Sequence, residues 1–193
     1  MAAIARGDRN AFGVLVARHL GRAMVIARGF DGLEADAEDV VQEAFTKVWT
    51  SAADWQPPAE GSVEDRKQAG RARFTTWFHR VLVNRCIDRQ RQVKRGGRGR
   101  HAALDSIAEP ADDRPSVTDR LEADDRDRLV RDAIATLPER QRIALTLCAF
   151  EGHSNAEAGE IMGLGVKAVE ALLVRARRQL REVLDPNLLT MAG

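Results

Sequence analysis

The sequence predicts an all-α protein of two small helical domains joined by an acidic linker, with a helix-turn-helix in the second domain. Hydrophobic residues recur every three or four positions in each ordered stretch, which is the spacing of amphipathic helices. A stretch rich in Gly, Pro and acidic residues lacks this spacing and separates the two helical parts. The predicted bounds are 8–96 for the first domain, 97–125 for the linker and 126–185 for the second domain.

The composition excludes several classes of protein. Charged residues make up 31% of the 193 residues and hydrophobic residues 44%, so the chain is neither disordered nor a disulfide-stapled miniprotein. No apolar run approaches the roughly 20 residues that cross a bilayer, and the N-terminus lacks the apolar core of a signal peptide. We therefore expect a cytoplasmic protein with no direct membrane insertion.

The net charge of +1 hides strong segregation of charge along the chain. Residues 31–65 contain ten acidic residues against one Lys, whereas 66–100 contain twelve basic residues against one Asp. Residues 104–127 are again acidic, and 163–181 are again basic. Two basic blocks separated by an acidic one indicate two surfaces that face nucleic acid. The alternative is that these charge runs are solvated helix faces.

The first domain begins with two predicted helices. Apolar positions of the first are Phe12, Leu15, Val16, His19 and Leu20. A turn at residues 30–32 separates it from the segment DAEDVVQEAFTKVW. The apolar stripe of that segment consists of Val40, Val41, Ala44, Phe45 and Val48. Asp36 is a plausible N-cap of the second helix, and its polar side carries Gln42, Glu43, Thr46 and Lys47.

Residues 56–72 contain Pro-Pro and two Gly and predict a mobile loop. A third helix follows, with Thr75 or Thr76 as its expected cap. Apolar residues cover most of its circumference and leave a narrow polar stripe. The stripe and its flanks contain Trp77, Arg80, Asn84, Arg85, Asp88, Arg89, Arg91 and Arg95. We expect this helix to be buried on most sides and to expose one cationic edge.

The second domain contains the pattern of a helix-turn-helix. An apolar stripe formed by Leu129, Val130, Ala133, Ile134 and Leu137 stops at Pro138, which suits the first position of the next helix. Ser154 and Glu157 form a capping box, and Gly163-Leu164-Gly165 predicts a tight turn. The apolar side of the last helix carries Val166, Val169, Leu173, Ala176, Leu180 and Val183.

Opposite that apolar stripe lie Lys167, Ala171, Val174, Arg175 and Arg178. Small residues let a helix approach base edges, and Arg or Lys contacts phosphates or guanine. The alternative is an αα-hairpin whose Arg-rich helix faces solvent.

No set of residues for catalysis or metal binding is present, so we expect no enzyme activity and no cofactor. Cys86 and Cys148 are expected to be buried structural thiols, with redox sensing as the alternative.

Taken in order, these segments resemble the extracytoplasmic-function group of bacterial RNA polymerase sigma factors. The resemblance rests on AFGVLVARHL, DAEDVVQEAFTKVW, FTTWFHRVLVNRCIDRQRQ, the acidic linker, and LPERQRIALTLCAFEGHSNAEAGEIMGLGVKAVEALLVRARRQL. It runs over nearly the whole chain. It implies a subunit that recognises promoters for core RNA polymerase through two helical domains, region 2 and region 4.

The resemblance also implies roles for individual residues. Asp39, Gln42 and Glu43 correspond to the surface that docks on the β′ clamp of the polymerase, and region 4 would lie at the β flap. Contacts to the −10 element fall on Trp77, Arg80, Asn84, Arg85, Arg89 and Arg91. Contacts to the −35 element fall on Lys167, Glu170, Ala171, Val174, Arg175 and Arg178. A cognate anti-sigma factor would hold the protein inactive.

Two features depart from the family. The 56–72 loop is longer than usual, and Glu170 and Leu172 stand where many members have basic residues. Glu170 could accept a hydrogen bond from cytosine N4, or it could face Arg177 or Arg181 and only orient the helix. We expect the second. An autonomous helix-turn-helix regulator is the alternative function, although residues 8–95 show no sensing-domain pattern.

Overall fold

The computed structural model describes residues 1–55, 63–96 and 128–190, with side chains at 1–55, 74–95 and 128–184. All regular elements in these ranges are helical, as predicted. They are α1 (Ala2–Ala5), α2 (Arg9–Arg28), α3 (Ala37–Thr50), α4 (Val63–Gly96), α5 (helical over 128–135), α6 (Glu139–Leu145) with a π-helical continuation at Thr146–Phe150, α7 (Asn155–Met162) and α8 (Val166–Thr190). No described helix is long and apolar enough to cross a bilayer. The predicted linker, 97–125, lies outside the described residues.

Helices α2, α3 and α4 pack around a cluster of aromatic rings. Phe78 of α4 is fully buried, and its ring centroid lies 4.9 Å from that of Phe45 and 5.9 Å from that of Phe74. His19 of α2 meets the same two α4 rings edge-on. All five residues of the apolar stripe predicted for α3 are buried, so the period of the sequence correctly identified the face that enters the core.

The start of α3 was placed correctly, but the role of Asp36 was not. Asp36 occupies the N-cap position, yet its carboxylate accepts no hydrogen bond from a backbone amide of the helix. It accepts one instead from Nη1 of Arg89 on α4, at 3.1 Å. A charged guanidinium is a stronger donor than a backbone amide, which explains the exchange. At α2, by contrast, Asp8 does cap the helix through the amide of Ala11 at 2.9 Å.

Helix α4 begins earlier than the sequence indicated. It starts at Val63, so the loop predicted for 56–72 is wrong over 63–72, and neither Thr75 nor Thr76 is a cap. The strong helix breakers Pro57, Pro58 and Gly61 all precede this start. The residues that follow are mostly good helix formers, and the single Gly70 costs only about 1 kcal/mol. The remaining part of the predicted loop, 56–62, lies outside the described residues.

The predicted helix-turn-helix is present in α7 and α8. The Ser154 hydroxyl accepts from the Glu157 amide, and the Glu157 carboxylate accepts from the Ser154 amide, which completes the capping box. Gly163 ends α7 in the left-handed conformation at φ 65°, which glycine adopts without strain. Pro138 is the N-cap of α6 rather than its first residue, a shift of one position.

Three residues assigned to apolar stripes stay exposed, namely Leu20, Val130 and Val166. Val166 is the first residue of α8, where the helix has not yet reached the core. The neighbours of Leu20 and Val130 along the same helices, His19 and Ala133, are buried. The two residues therefore lie at the edges of their stripes.

The two helical domains pack against each other across one side of α4. Thr76 donates to Glu157 of α7 at 3.3 Å, and Gln90 donates to Glu139 of α6 at 2.5 Å. A third α4 residue on this side, His79, contacts His153 in the loop before α7. Because the neighbouring residue Phe78, about 100° away around the helix from His79, enters the first-domain core, α4 is enclosed by both domains, as its largely apolar circumference predicted.

Arg142 of α6 joins the same two domains at their surface. Its Nε donates to the carbonyl of Gly29 at 2.9 Å, and its Nη1 donates to the carbonyls of Ala135 and Leu137 at 2.8 and 3.0 Å. Its Nη2 pairs with the carboxylate of Asp31. One guanidinium therefore ties the turn after α2 to the turn before α6.

The helix-turn-helix generates a stability prediction. A Cβ on Gly159 would lie 2.7 Å from the Leu164 carbonyl oxygen, so the turn can reach α7 only because Gly159 has no side chain. We expect Gly159→Ala to lower the free energy of unfolding by about 1–3 kcal/mol, the usual cost of overpacking. Urea unfolding of the full chain measures this value.

Gly21→Ala is the matched control. Gly21 also lies inside a helix, but a methyl group at this position would have nothing within 4 Å of it. Alanine should raise the free energy of unfolding there by about 0.5–1 kcal/mol through its better helix propensity. Equal effects of the two substitutions would show that the contact between α7 and the turn is not tight.

Candidate nucleic-acid and partner interfaces

The polar side of α3 forms an acidic surface. Asp39, Gln42 and Glu43 are all exposed on the side opposite the buried stripe. They line a surface groove of about 460 Å³ together with Thr46, Lys47, Thr50, Arg85 and Arg89. The hydroxyls of Thr46 and Thr50 donate to backbone carbonyls of α3 itself. The carboxylates of Asp39 and Glu43, the amide of Gln42 and the ammonium group of Lys47 are therefore the groups that α3 offers to a partner.

Arg89 belongs to this acidic surface rather than to the α4 stripe. Its Nη2 lies 2.7 Å from Oε1 of Glu43 and its Nη1 lies 3.1 Å from Oδ1 of Asp36. Only 24% of the side chain is exposed. A DNA phosphate would have to displace two carboxylates to reach it. The structure therefore separates Arg89 from the other α4 residues predicted to contact the −10 element.

The remaining basic stripe of α4 is open to solvent. Arg80, Asn84 and Arg85 are exposed and make no hydrogen bond or ion pair with any described side chain. Arg91 lies 3.6 Å from Asp88, an exposed pair of the kind that contributes little. The stripe thus presents unengaged guanidinium groups and one amide, which are suited to phosphates and base edges.

Trp77 is half-buried beside this stripe. Its ring centroid lies 5.2 Å from that of Trp55 and 6.0 Å from that of Phe74, so one part of the indole packs on the core of the first domain. The rest is open to solvent at the same end of α4 as Arg80. Trp77 therefore has a packing role and retains surface on which a base could stack.

Helix α8 turns a second basic face away from the core. Val169, Leu173 and Ala176 are buried, and the predicted recognition residues lie on the other side. Ala171 is half-buried, whereas the others are exposed: Lys167, Glu170, Val174, Arg175 and Arg178. Val174 has 64% of its surface exposed, which is unusual for an apolar residue at the centre of a helix. Contact with the first domain leaves this face uncovered.

The interpretation of Glu170 as an orienting residue was wrong. Among the described side chains it makes no ion pair, either with Arg177 or with Arg181. The ion pair on this helix joins Nε of Arg178 to Oε1 of Glu182 at 2.9 Å. Arg177 and Arg181 are seven and eleven positions further along the helix than Glu170, beyond the spacings of three and four at which helical side chains meet. The carboxylate of Glu170 is consequently free to accept a hydrogen bond from outside the protein.

Sequence reasoning missed the histidines that join the domains. Nδ1 of His79 lies 2.7 Å from Nε2 of His153, and both side chains are buried. Burial, with the nearby His153, lowers the pKa of His79 to about 3. Neither residue has a neighbour in sequence that indicates the pairing. Within the residues with described side chains, no three potential ligands are placed to hold a metal ion.

The cysteines are free thiols in different environments. Cys86 is fully buried, and burial raises its pKa to about 12. Burial also raises the pKa of Cys148, which is half-buried. The thiolate is the form that reacts with oxidants, and these shifts disfavour it at neutral pH. The structure therefore favours structural thiols over redox sensing.

Comparison with known proteins agrees with this arrangement. The family Sigma-70 region 2 matches residues 15–65, and the family Sigma-70, region 4 matches residues 127–180. The first match covers most of α2 and all of α3 and reaches the start of α4. The second contains α7, the turn and the first 15 residues of α8.

Relatives extend the similarity over nearly the whole chain. The RNA polymerase sigma factor CnrH of Cupriavidus metallidurans is 33% identical over 95% of this chain and 91% of its own length. The ECF RNA polymerase sigma factor SigE of Mycolicibacterium smegmatis is 33% identical over 93% of this chain and 65% of its own length.

A solved structure shares the fold. It is that of CnrH in complex with the cytosolic domain of CnrY, with a TM-score of 0.57 and 30% identity, over 96% of this chain and 94% of that one. The two family matches lie in the order in which the helices occur here, and the similarity to CnrH is nearly end to end. The chain belongs to the extracytoplasmic-function group of RNA polymerase sigma factors.

Proposed function

We propose that this sigma factor directs promoter-specific initiation through three separate surfaces on three helices. The acidic surface of α3, with Asp39, Gln42 and Glu43, binds the β′ clamp of core RNA polymerase. The open stripe of α4, with Trp77, Arg80, Asn84, Arg85 and Arg91, binds the −10 element. The exposed face of α8 binds the −35 element through Lys167, Glu170, Ala171, Val174, Arg175 and Arg178. The contribution of this sigma factor to initiation is binding rather than catalysis.

The observation that carries this proposal is the separation of charge between exposed helix faces. The acidic surface of α3 is unsuited to DNA because its carboxylates repel phosphates. Among the residues whose side chains are described, the guanidinium groups exposed by the stripe of α4 and the face of α8 make no ion pairs other than the exposed pairs of Arg91 and Arg178. Phosphate contacts from such groups supply much of the affinity of a protein for DNA.

Within this scheme Arg89 has a positioning role. Its guanidinium holds Glu43 and Asp36 of α3 against α4, so it fixes the clamp-binding helix relative to the −10-binding helix. This role replaces direct DNA contact by Arg89. It also explains why an Arg, whose fork-shaped donors reach two carboxylates at once, stands at this position.

Opening of the DNA fits the chemistry of α4. Bases that leave the duplex need a stacking surface and cations along the backbone. The open part of the Trp77 indole supplies the first, and Arg80 and Arg85 supply the second. Asn84, between these two arginines, has a donor and an acceptor free for a base edge.

The domain bounds proposed from sequence are 8–96 for region 2, 97–125 for the linker and 126–185 for region 4. Two DNA elements separated by two helical turns are about 70 Å apart. A flexible chain of the length of the linker spans about 30 Å on average and about 100 Å when extended. The domains, which contact each other in this structure, must therefore separate on the promoter.

The partners follow from the relatives. Because the similar protein CnrH has been solved with the cytosolic domain of CnrY, we include a cognate anti-sigma factor among the partners of this chain. Core polymerase and promoter DNA are the others, which places the protein in the cytoplasm. The polymerase β flap is the expected site for region 4.

Reconstituted transcription tests the proposal. The purified chain is added to core polymerase with a library of promoter fragments, and the transcripts are sequenced. Polymerase-dependent initiation from a subset with common −10 and −35 elements supports the proposal. Specific DNA binding by the chain alone, without any effect on initiation, would indicate an autonomous regulator instead.

The clamp surface gives a prediction on polymerase affinity. We expect the double substitution Asp39→Asn and Gln42→Ala to weaken binding of core polymerase by about 1–3 kcal/mol, the range of a central contact. Glu38→Gln is the control, because Glu38 is exposed on α3 outside this surface. Fluorescence anisotropy with labelled protein measures both. Equal affinity of the double variant and the native chain would remove this surface from the interface.

The α4 stripe gives a prediction on promoter opening. Asn84→Ala should reduce the reactivity of thymines in the −10 region to permanganate while leaving the −35 footprint intact. Gln92→Ala, another exposed polar residue of α4, should change neither. Normal thymine reactivity in the Asn84→Ala complex would contradict the assigned role.

The α8 face gives a prediction on sequence preference. Because Glu170 has no partner among the described side chains, Glu170→Gln should change the preferred base at one −35 position. Arg175→Ala should cost about 1–3 kcal/mol and relax preference at one position if its guanidinium reads guanine. Arg140→Ala is the control, since Arg140 is an exposed arginine on α6, outside this face. A matrix of −35 substitutions that gives identical profiles for all proteins would exclude α8 from DNA readout.

A further inference from the structure

The contact between the two domains contains a buried pair of imidazoles. His79 of α4 and His153 of the loop before α7 meet through Nδ1 and Nε2 at 2.7 Å, with their ring planes at 82°. The side chain of His79 is 1% exposed and His153 is 7% exposed. The other polar contacts between the domains, such as those of Arg142 and Gln90, lie nearer the surface.

The hydrogen bond between the two rings contains a single hydrogen atom, supplied by one of the two facing nitrogens. Two neutral imidazoles satisfy the contact when an N–H of one donates to the lone pair of the other. Nε2 of His79 is buried and has no hydrogen-bond partner in the part of the chain that the structure describes. A further proton on His79 would therefore leave a buried N–H without an acceptor. Protons on both rings would place two cations in contact.

The charged and titratable groups around the pair come from three elements. From α2, His19 and the cation of Arg22 lower the pKa of His79. From the loop, Glu151 has Oε2 at 3.7 Å from Arg22 and 4.0 Å from Nε2 of His79, too far for a hydrogen bond to the histidine. From α7, Glu157 faces His153, but its carboxylate already accepts from Ser154 and Thr76.

We propose that the histidine contact makes the association of the two domains acid-labile, so that protonation of His79 and His153 releases α5–α8 from α4 in the free protein. Separation exposes both rings to water, where each can hold a second proton. The association therefore requires that both imidazoles stay neutral. The proposal concerns the free chain and does not depend on the surfaces assigned to polymerase and DNA.

The lowered pKa values of His79 and His153 determine in which direction the association of the two domains depends on pH. Burial is the largest cause that lowers the pKa of His79, to about 3, and burial likewise lowers the pKa of His153. We call the protein closed when the two domains are in contact and open when they are apart. A histidine whose pKa is lower in the closed form than in the open form stabilises the closed form fully only at pH values above its pKa in the open form. For an imidazole in water this value is about 6.5, so the stabilisation is lost as the pH falls below it. Carboxylic acids ordinarily titrate near pH 4, below this window, but burial raises the pKa of Glu151, so the histidine variants are needed to identify the titrating groups.

The number of protons that the histidines bind on opening determines how steeply the opening equilibrium depends on pH. Well below pH 6.5, each histidine that gains a proton on opening shifts the equilibrium about tenfold per pH unit. Two histidines shift it about 30-fold between pH 6.5 and 5.5, and by up to about 100-fold per pH unit below that interval. The logarithm of the opening constant should thus change with a slope that approaches two per pH unit.

Distances between spin labels on the full-length chain measure the opening. Labels at Glu38→Cys on α3 and Glu160→Cys on α7, both exposed positions, report one distance across the interface. Cys148→Ser removes the half-buried native thiol, and the buried Cys86 is left in place. We expect one short, narrow distance at pH 7.5 and a growing population at longer distances below pH 6.5. Far-UV circular dichroism at each pH monitors helicity.

Two variants identify the groups that titrate. His79→Asn with His153→Gln retains polar atoms near the contacting nitrogens but cannot gain a proton, so the slope should fall to zero, whether the variant is closed or open. His153→Gln alone should reduce it to about one. His19→Gln is the control, because His19 is a buried histidine that packs on Phe74 and Phe78 within the first domain. Its slope should remain close to that of the native chain.

Three results would overturn the proposal. The first is a distance distribution that stays the same between pH 7.5 and 5.0 in the native chain. The second is an unchanged slope in the double histidine variant. The third is a loss of helicity that parallels the change in distance, because acid would then unfold the domains rather than separate them.

Discussion

Burial of α4 by both domains, on two adjoining sides, is the constraint on which the rest of this structure depends. One side inserts Phe78 and its neighbours between α2 and α3, and the other side carries Thr76, His79 and Gln90 to the second domain. A helix enclosed in this way exposes only a narrow stripe. The basic residues of α4 are therefore gathered on one edge, where they form a surface suited to DNA.

The same geometry explains where Arg89 and Arg142 form their hydrogen bonds and ion pairs. Arg89 and Arg142 lie at the margins of the enclosed helix, and each bonds two segments of the chain that are distant in sequence. These ion pairs are partly buried, and the cost of removing their charges from water offsets much of their attraction, so apolar burial supplies most of the cohesion. Their effect is on geometry: Arg89 fixes α3 against α4, and Arg142 fixes the two interdomain turns.

Features encoded by neighbouring residues were predictable from the sequence, and features that depend on distant pairs were not. The α3 stripe, the Ser154–Glu157 capping box and the Gly163 turn each depend on a few consecutive positions. The ion pair of Arg89 with Glu43 and the contact of His79 with His153 join residues 46 and 74 positions apart. Single-residue patterns contain no signal for such pairs. The start of α4 was missed because Gly70 was given the same weight as the prolines before it.

Calorimetry tests the central claim, that α4 belongs to the cores of both domains in the free protein. If the two domains share this helix, neither can unfold without exposing apolar surface of the other. The full chain at neutral pH should then unfold in one transition, with equal calorimetric and van't Hoff enthalpies. Two separate transitions, or a calorimetric enthalpy well above the van't Hoff value, would show that the domains unfold independently and would contradict this account.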